Sequence, residues 1–149
     1  MESNRDLCIQ LVEAEEAKDP TAVAGGLLLL WDALCCSRLP TGLDLFILDT
    51  AAVCGIGPTV RWLGLACSAV DPTPDLAADA ASQHPARVVI LDVESFRKRA
   101  LRSIPGWIDH HTKWVNRLLR IKRQAVKMVN RELEARAGAL CGDGLLKSG

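Results

Sequence analysis

Between Pro105 and Ala137, polar and apolar residues separate more cleanly than anywhere else in the chain. Read as one helix, the stretch places Lys113, Arg117, Arg120, Gln124, Lys127 and Arg131 at i, i+4, i+7, i+11, i+14 and i+18. At about 100° per residue, these six side chains share roughly 80° of arc. Trp107, Trp114, Leu118, Ile121, Ala125, Met128, Val129 and Leu133 take the opposite side. The pattern predicts a long two-faced helix, closed by Gly138 as a C′ glycine. Residues 1–138 then form a single helical domain, with 139–149 a loosely held tail.

The rest of the chain reads as shorter helices between breaks. Asn4 or Asp6 can cap a first helix to about Lys18, with Leu7, Ile9, Leu11 and Val12 inward and Glu13, Glu15 and Glu16 solvated. Asp19-Pro20 stops it. Thr21 then caps a second helix over Ala22–Ser37, which is apolar on nearly every side and is therefore expected at the centre of the core. Leu39-Pro40-Thr41-Gly42 is a turn. The stretch from Leu43 to Asp49 suits strand or helix. Thr59–Val70 reads as a helix with Val60, Leu63 and Cys67 inward, followed by an Ala-rich helix from Asp75 to about Gln83. Val88–Leu91 is β-branched enough for a strand. However, Val89, Val93, Phe96 and Ala100 keep helical spacing as far as Arg102, and a helix is the preferred reading. The expected fold is all-α, a compact bundle of five to seven helices with the long basic amphipathic helix at its C-terminal end. The alternative is an α-rich α/β arrangement with two short parallel strands, at Leu45–Leu48 and Val88–Leu91.

Composition changes this picture little, but the distribution of charge changes it more. With 149 residues, 49% of them hydrophobic, the chain can bury a core on its own. Aromatics are few (four Trp, two Phe, no Tyr), so that core is aliphatic. The net charge of zero conceals a split. Residues 1–95 hold five basic against fourteen acidic side chains, and residues 96–149 hold thirteen basic against four acidic. Either the basic half has an anionic partner, or the two halves attract each other within the fold.

Six cysteines, Cys8, Cys35, Cys36, Cys54, Cys67 and Cys141, lie mostly in apolar runs without C-x-x-C spacing. They read as reduced, buried thiols rather than a disulfide framework or a zinc site. The start shows no basic region followed by an apolar one, so no signal peptide is expected, and no apolar run is long enough to span a bilayer. These features predict an intracellular chain, cytoplasmic or nuclear.

Two charges fall where the pattern calls for apolar residues: Lys122 near the middle of the apolar face of the long helix, and Asp32 in the Ala22–Ser37 run. Their misplacement suggests that they pair. Asp109-His110-His111 resembles the signature triplet of the DHH phosphoesterases, metal enzymes that cut phosphoanhydride or phosphodiester bonds. That resemblance implies metal ligation there, with Asp49 and Asp92 as further ligands. The family's D-x-D motif is missing, and adjacent histidines on a helix diverge by about 100°. Gly55-Ile56-Gly57-Pro58-Thr59 has neither the third glycine of a dinucleotide fingerprint nor the Lys of a phosphate loop, and reads as a turn.

No catalytic residue, metal site or cofactor is implied by what remains. The leading expectation is a non-enzymatic interaction or assembly subunit or adaptor. Its partner-binding residues would be Lys113, Arg117, Arg120, Arg123, Lys127 and Arg131, with Trp107 and Trp114, meeting another protein or a larger complex. The alternative is a sequence-nonspecific RNA- or DNA-binding protein laying the same stripe on phosphates. A small metal-dependent phosphoesterase comes third.

Overall fold

A computed structural model describes residues 3–19 and 26–148, with side chains as far as residue 139. The described chain is all-helical: α1 (Asn4–Glu16), α2 (Leu27–Ala33), a 3-10 turn (Cys36–Arg38), α3 (Leu43–Cys54), α4 (Ile56–Ala66), α5 (Pro74–Ala81), α6 (Ala86–Arg102) and α7 (Trp107–Ser148). Local chemistry sets several of the ends. The Ser3 hydroxyl accepts the Asp6 N–H at 3.2 Å and caps α1. Thr73 does the same for Leu76 at the start of α5, ahead of Pro74 in the first turn. Gly55, at φ +92°, turns the chain directly from α3 into α4.

α3 is the central element. It packs against α1, α2, α4, α6 and α7, and every residue from Leu43 to Ala52 is buried. This corrects the expectation that Ala22–Ser37 would hold that place. α2 spans only Leu27–Ala33 and leaves Leu28 and Leu29 exposed. The expected Asp19-Pro20 break at Pro20, the cap at Thr21 and the start of that helix over 22–25 lie outside the described residues. Both segments with a strand alternative are helical, 43–49 in α3 and 86–92 in α6. α7 does not stop at Gly138, which keeps helical backbone in open surroundings. An exposed glycine weakens a helix by about 1 kcal/mol but does not end it.

Two residues at the start of α3 set how α7 crosses it. Gly42 has φ +96°, and a Cβ there would sit 2.5 Å from the Ala125 carbonyl oxygen and from Val129 Cγ2. The backbone of α3 therefore enters against the bare surface of α7. Asp44 Oδ1 accepts the Gly42 and Leu45 N–H groups at 2.9 and 2.7 Å, and Oδ2 accepts from the Asn4 side chain. Burial nevertheless dominates, and it pushes the Asp44 carboxyl up to about 6, with these hydrogen bonds only moderating the rise.

Midway along α3, Asp49 receives two guanidinium groups. Arg97 Nη1 from α6 reaches Oδ2 at 2.8 Å, while Arg117 Nε and Nη2 from α7 reach Oδ1 at 3.0 and 2.7 Å. Asp49 and Arg97 have no solvent exposure and Arg117 only 1%. Arg97 Nη1 also donates to the Thr50 hydroxyl at 3.2 Å, and that hydroxyl donates onward to the Phe46 carbonyl at 2.7 Å. The Arg97 guanidinium lies 5.9 Å from the centre of the Phe46 ring. One buried carboxylate thus ties three helices together.

Three outcomes follow from this packing. Gly42→Ala meets backbone atoms and an unfavourable φ, and should lower stability in thermal melts by roughly 2–4 kcal/mol. For Asp44 the folded-state value lies above the ordinary 3.8, so its stabilising contribution is complete below that value and lost as pH rises through about 6. Relative to Asp44→Asn, the wild type should lose roughly 3 kcal/mol across that window in denaturant titrations, and a flat difference would contradict the assignment. Asp49→Ala strands two buried cations and should cost at least about 3–5 kcal/mol. Arg117→Met leaves a neutral Arg97–Asp49 pair and should cost less than about 2 kcal/mol. Equal urea midpoints for the last two variants would refute the network.

Candidate interaction surface on the terminal helix

The helical wheel of α7 explains which basic side chains remain available. Its buried positions, Arg117, Trp114, Leu118, Ile121, Ala125, Met128 and Val129, cover an arc of about 120° at the helical repeat. Arg117 stands at the edge of that arc, where α7 meets α3. It is therefore withdrawn from the expected stripe and spent on Asp49. Trp114, expected at the partner surface, is buried as well, at 6% exposure.

Arg120 is half-withdrawn. Its Nε lies 2.9 Å from both Glu15 oxygens, and these bonds raise the already high affinity of the guanidinium for its proton. Glu15, expected in solvent, is buried at 5% by this contact. Lys122 sits at the other margin of the buried arc and donates to Glu94 of α6 at 3.0 Å. The suggested partner, Asp32, is instead exposed on α2. Each of these acids comes from residues 1–95 and each base from residues 96–149, so part of the charge split is resolved within the fold.

What remains exposed on α7 is Lys113, Arg123, Lys127 and Arg131. None of the four makes an ion pair with a described residue. Gln124, Lys127 and Arg131 still share one side of the helix, with Arg123 flanking them. From Arg131 to Ala139 almost every residue is exposed, although Glu132, Leu133 and Arg136 still border a cavity shared with Pro40, Thr41, His84 and Arg87.

The first turns of α7 carry an aromatic cluster. Trp107 lies 5.4 Å from His111 and 6.1 Å from Trp114, and His110 lies 5.7 Å from Trp114, as ring centroids. His111 Nδ1 approaches the Ile108 and Trp107 carbonyls at 3.0 and 3.2 Å, as expected of a donor bonded to its own helix. The metal reading of Asp109-His110-His111 is corrected here. Asp49 has both oxygens occupied by arginines, Asp92 is exposed on α6, and no three potential ligands converge among the described residues.

Cys8, Cys35, Cys36, Cys54 and Cys67 are free thiols. Burial raises all five above the ordinary thiol value, which keeps them protonated and unreactive.

Sequence reasoning missed the Asp49–Arg97–Arg117 network, along with Glu16 beside it. Burial lifts the Glu16 carboxyl above its usual range, although Arg117 pulls it down. A signal for the network was present. Arg97 follows Val89 and Val93 at four-residue steps on the buried face of α6, where a cation needs a carboxylate.

No family model matches the chain, and no curated protein sequence does. Among solved structures, the chain is similar to Brucella abortus SagA, with 19% identity over 66% of this chain and a TM-score of 0.60. The match spans 58% of SagA, less than two thirds of its length. At that identity the likeness concerns the fold alone.

Proposed function

We propose that the protein is a non-enzymatic interaction or assembly subunit whose partner is an acidic protein surface bound along the distal part of α7. The observation that carries this reading is the exposed set Arg123, Lys127 and Arg131, spaced four residues apart along α7. A helix with one free face presents anchors at i, i+4 and i+8, a spacing suited to a groove or a facing helix. Withdrawal of Arg117 and pairing of Arg120 shorten the row that a phosphate backbone would need. That loss favours a compact acidic protein surface over a nucleic acid. No helix among the described residues is long and apolar enough to cross a membrane.

The test uses photo-crosslinking from defined positions in cells. A photoreactive residue at Lys127 or Arg131 should give one discrete protein adduct, while the same residue at the exposed Arg61 of α4 should give none. Charge reversal at Arg123, Lys127 and Arg131 together should abolish that adduct. In parallel, labelled single- and double-stranded nucleic acids are titrated at low and moderate salt. Three phosphate contacts would give a log–log salt slope of roughly −3. Such a slope, lost on charge reversal, would replace the protein partner with a nucleic acid.

A further inference from the structure

The turn between α6 and α7 exposes apolar side chains where a polar loop would be the ordinary solution. Ser103 to Gly106 are all exposed. Ile104 is 41% and Ile108 84% exposed, and Trp107 between them is half-buried. Gly106, at φ +91°, makes the tight turn between the two helices, so the three stand within five residues of one another around it. Trp107 is held from behind by stacking on Trp114, which is itself part of the buried face of α7. Scattered surface hydrophobics need no explanation, but two exposed isoleucines beside a half-buried Trp within five residues do.

Charge surrounds this turn on both sides. Arg99 and Arg102 are exposed in the last turns of α6, and Lys113 is exposed in the second turn of α7. The local acid is Asp109, so the collar has an excess of positive charge. We propose that the α6–α7 turn seats on an anionic bilayer surface, with Ile104, Trp107 and Ile108 in the headgroup–acyl boundary and Arg99, Arg102 and Lys113 on lipid phosphates. Exposed isoleucines beside a half-buried Trp, flanked by exposed cations on both helices, suit such an interface, where Trp and long basic side chains sit at headgroup level. No described helix spans a membrane, so contact is confined to one leaflet. The proposal is independent of the protein-partner reading, whose cations lie roughly 28 Å further along α7, taken from Ile108 to Lys127 at 1.5 Å per residue.

The test is co-sedimentation of the full chain with phosphatidylcholine vesicles, with and without phosphatidylglycerol. Wild type should partition onto the anionic vesicles and release on raising the salt. Ile108→Asp should lower the partition coefficient by at least about tenfold. Arg99→Glu, Arg102→Glu and Lys113→Glu together should lower it by about a hundredfold. Charge reversal of Arg123, Lys127 and Arg131 should change it by less than about threefold. Trp31, Trp62 and Trp114 are buried, so quenching by brominated lipid should report Trp107 and vanish in Trp107→Phe. All substituted side chains at the turn are exposed or half-buried, and circular dichroism checks that each variant is folded. Failure of wild type to sediment with anionic vesicles would overturn the proposal. So would Ile108→Asp binding as wild type does, or an equal loss from the distal charge reversal.

Discussion

Asp49 serves two guanidinium groups in a place that water does not reach. Its position on α3 decides where α6 and α7 must lie, since Arg97 and Arg117 can meet its two oxygens from only one pair of directions. One carboxylate faces two cations here, and the half-buried Glu16 carboxyl stands near enough to Arg117 to be drawn down by it. Arg97 Nε and Nη2 and Arg117 Nη1 have no hydrogen-bond partner there. Such an arrangement adds little net stability over apolar residues of the same size. It does penalise any docking of α7 that separates the charges. We read the cluster as the register pin of the bundle, with the aliphatic contacts around it supplying most of the favourable free energy.

The same logic extends outward with falling burial. Glu15 holds Arg120 and Glu94 holds Lys122, one pair at each margin of the seam where α7 lies on the body. Acids from the first two thirds of the chain thereby clasp bases from the last third. Their contribution shrinks towards the surface, where solvent screens them. The pairs bracket α7 along its length between Arg117 and Lys122. Beyond Val129 no ion pair from α7 to another helix is found among the described side chains.

Helix periodicity makes much of this architecture legible. The inward positions of α4 and α6 and the amphipathic course of α7 all follow from spacing alone, because each of these helices has one wet face. α3 is ambiguous for the opposite reason: a helix buried on all sides carries no periodic signal, and its ten consecutive buried residues read equally well as a strand. By composition Ala22–Ser37 competes for its rank as the core helix, since the leucines of the two segments look equivalent. Only packing distinguishes interior positions such as Leu45 and Ile47, which have no exposure, from Leu29, which is 75% exposed. Gly138 misleads in another way, since a glycine ends a helix only when its backbone adopts the left-handed turn, and here it does not.

The candidate surface is legible only as a face, because the wheel assigns a direction to each side chain and not its neighbour. Arg117 and Lys113 differ by about 40° on that wheel, yet one is buried against Asp49 and the other is in solvent. What separates them is the limit of the buried arc, which has Arg117 at its edge and Lys113 outside it, and only the packing of α7 on α3 fixes where that limit lies. The result is a helix with three consecutive environments: an aromatic first stretch, a clasped middle, and an exposed end in which Arg131 and Arg136 alternate with Glu132 and Glu134. The clasped middle holds the two ends rigidly apart on one continuous helix. The placement of both ends is therefore set by the contacts of the middle with Asp49, Glu15 and Glu94.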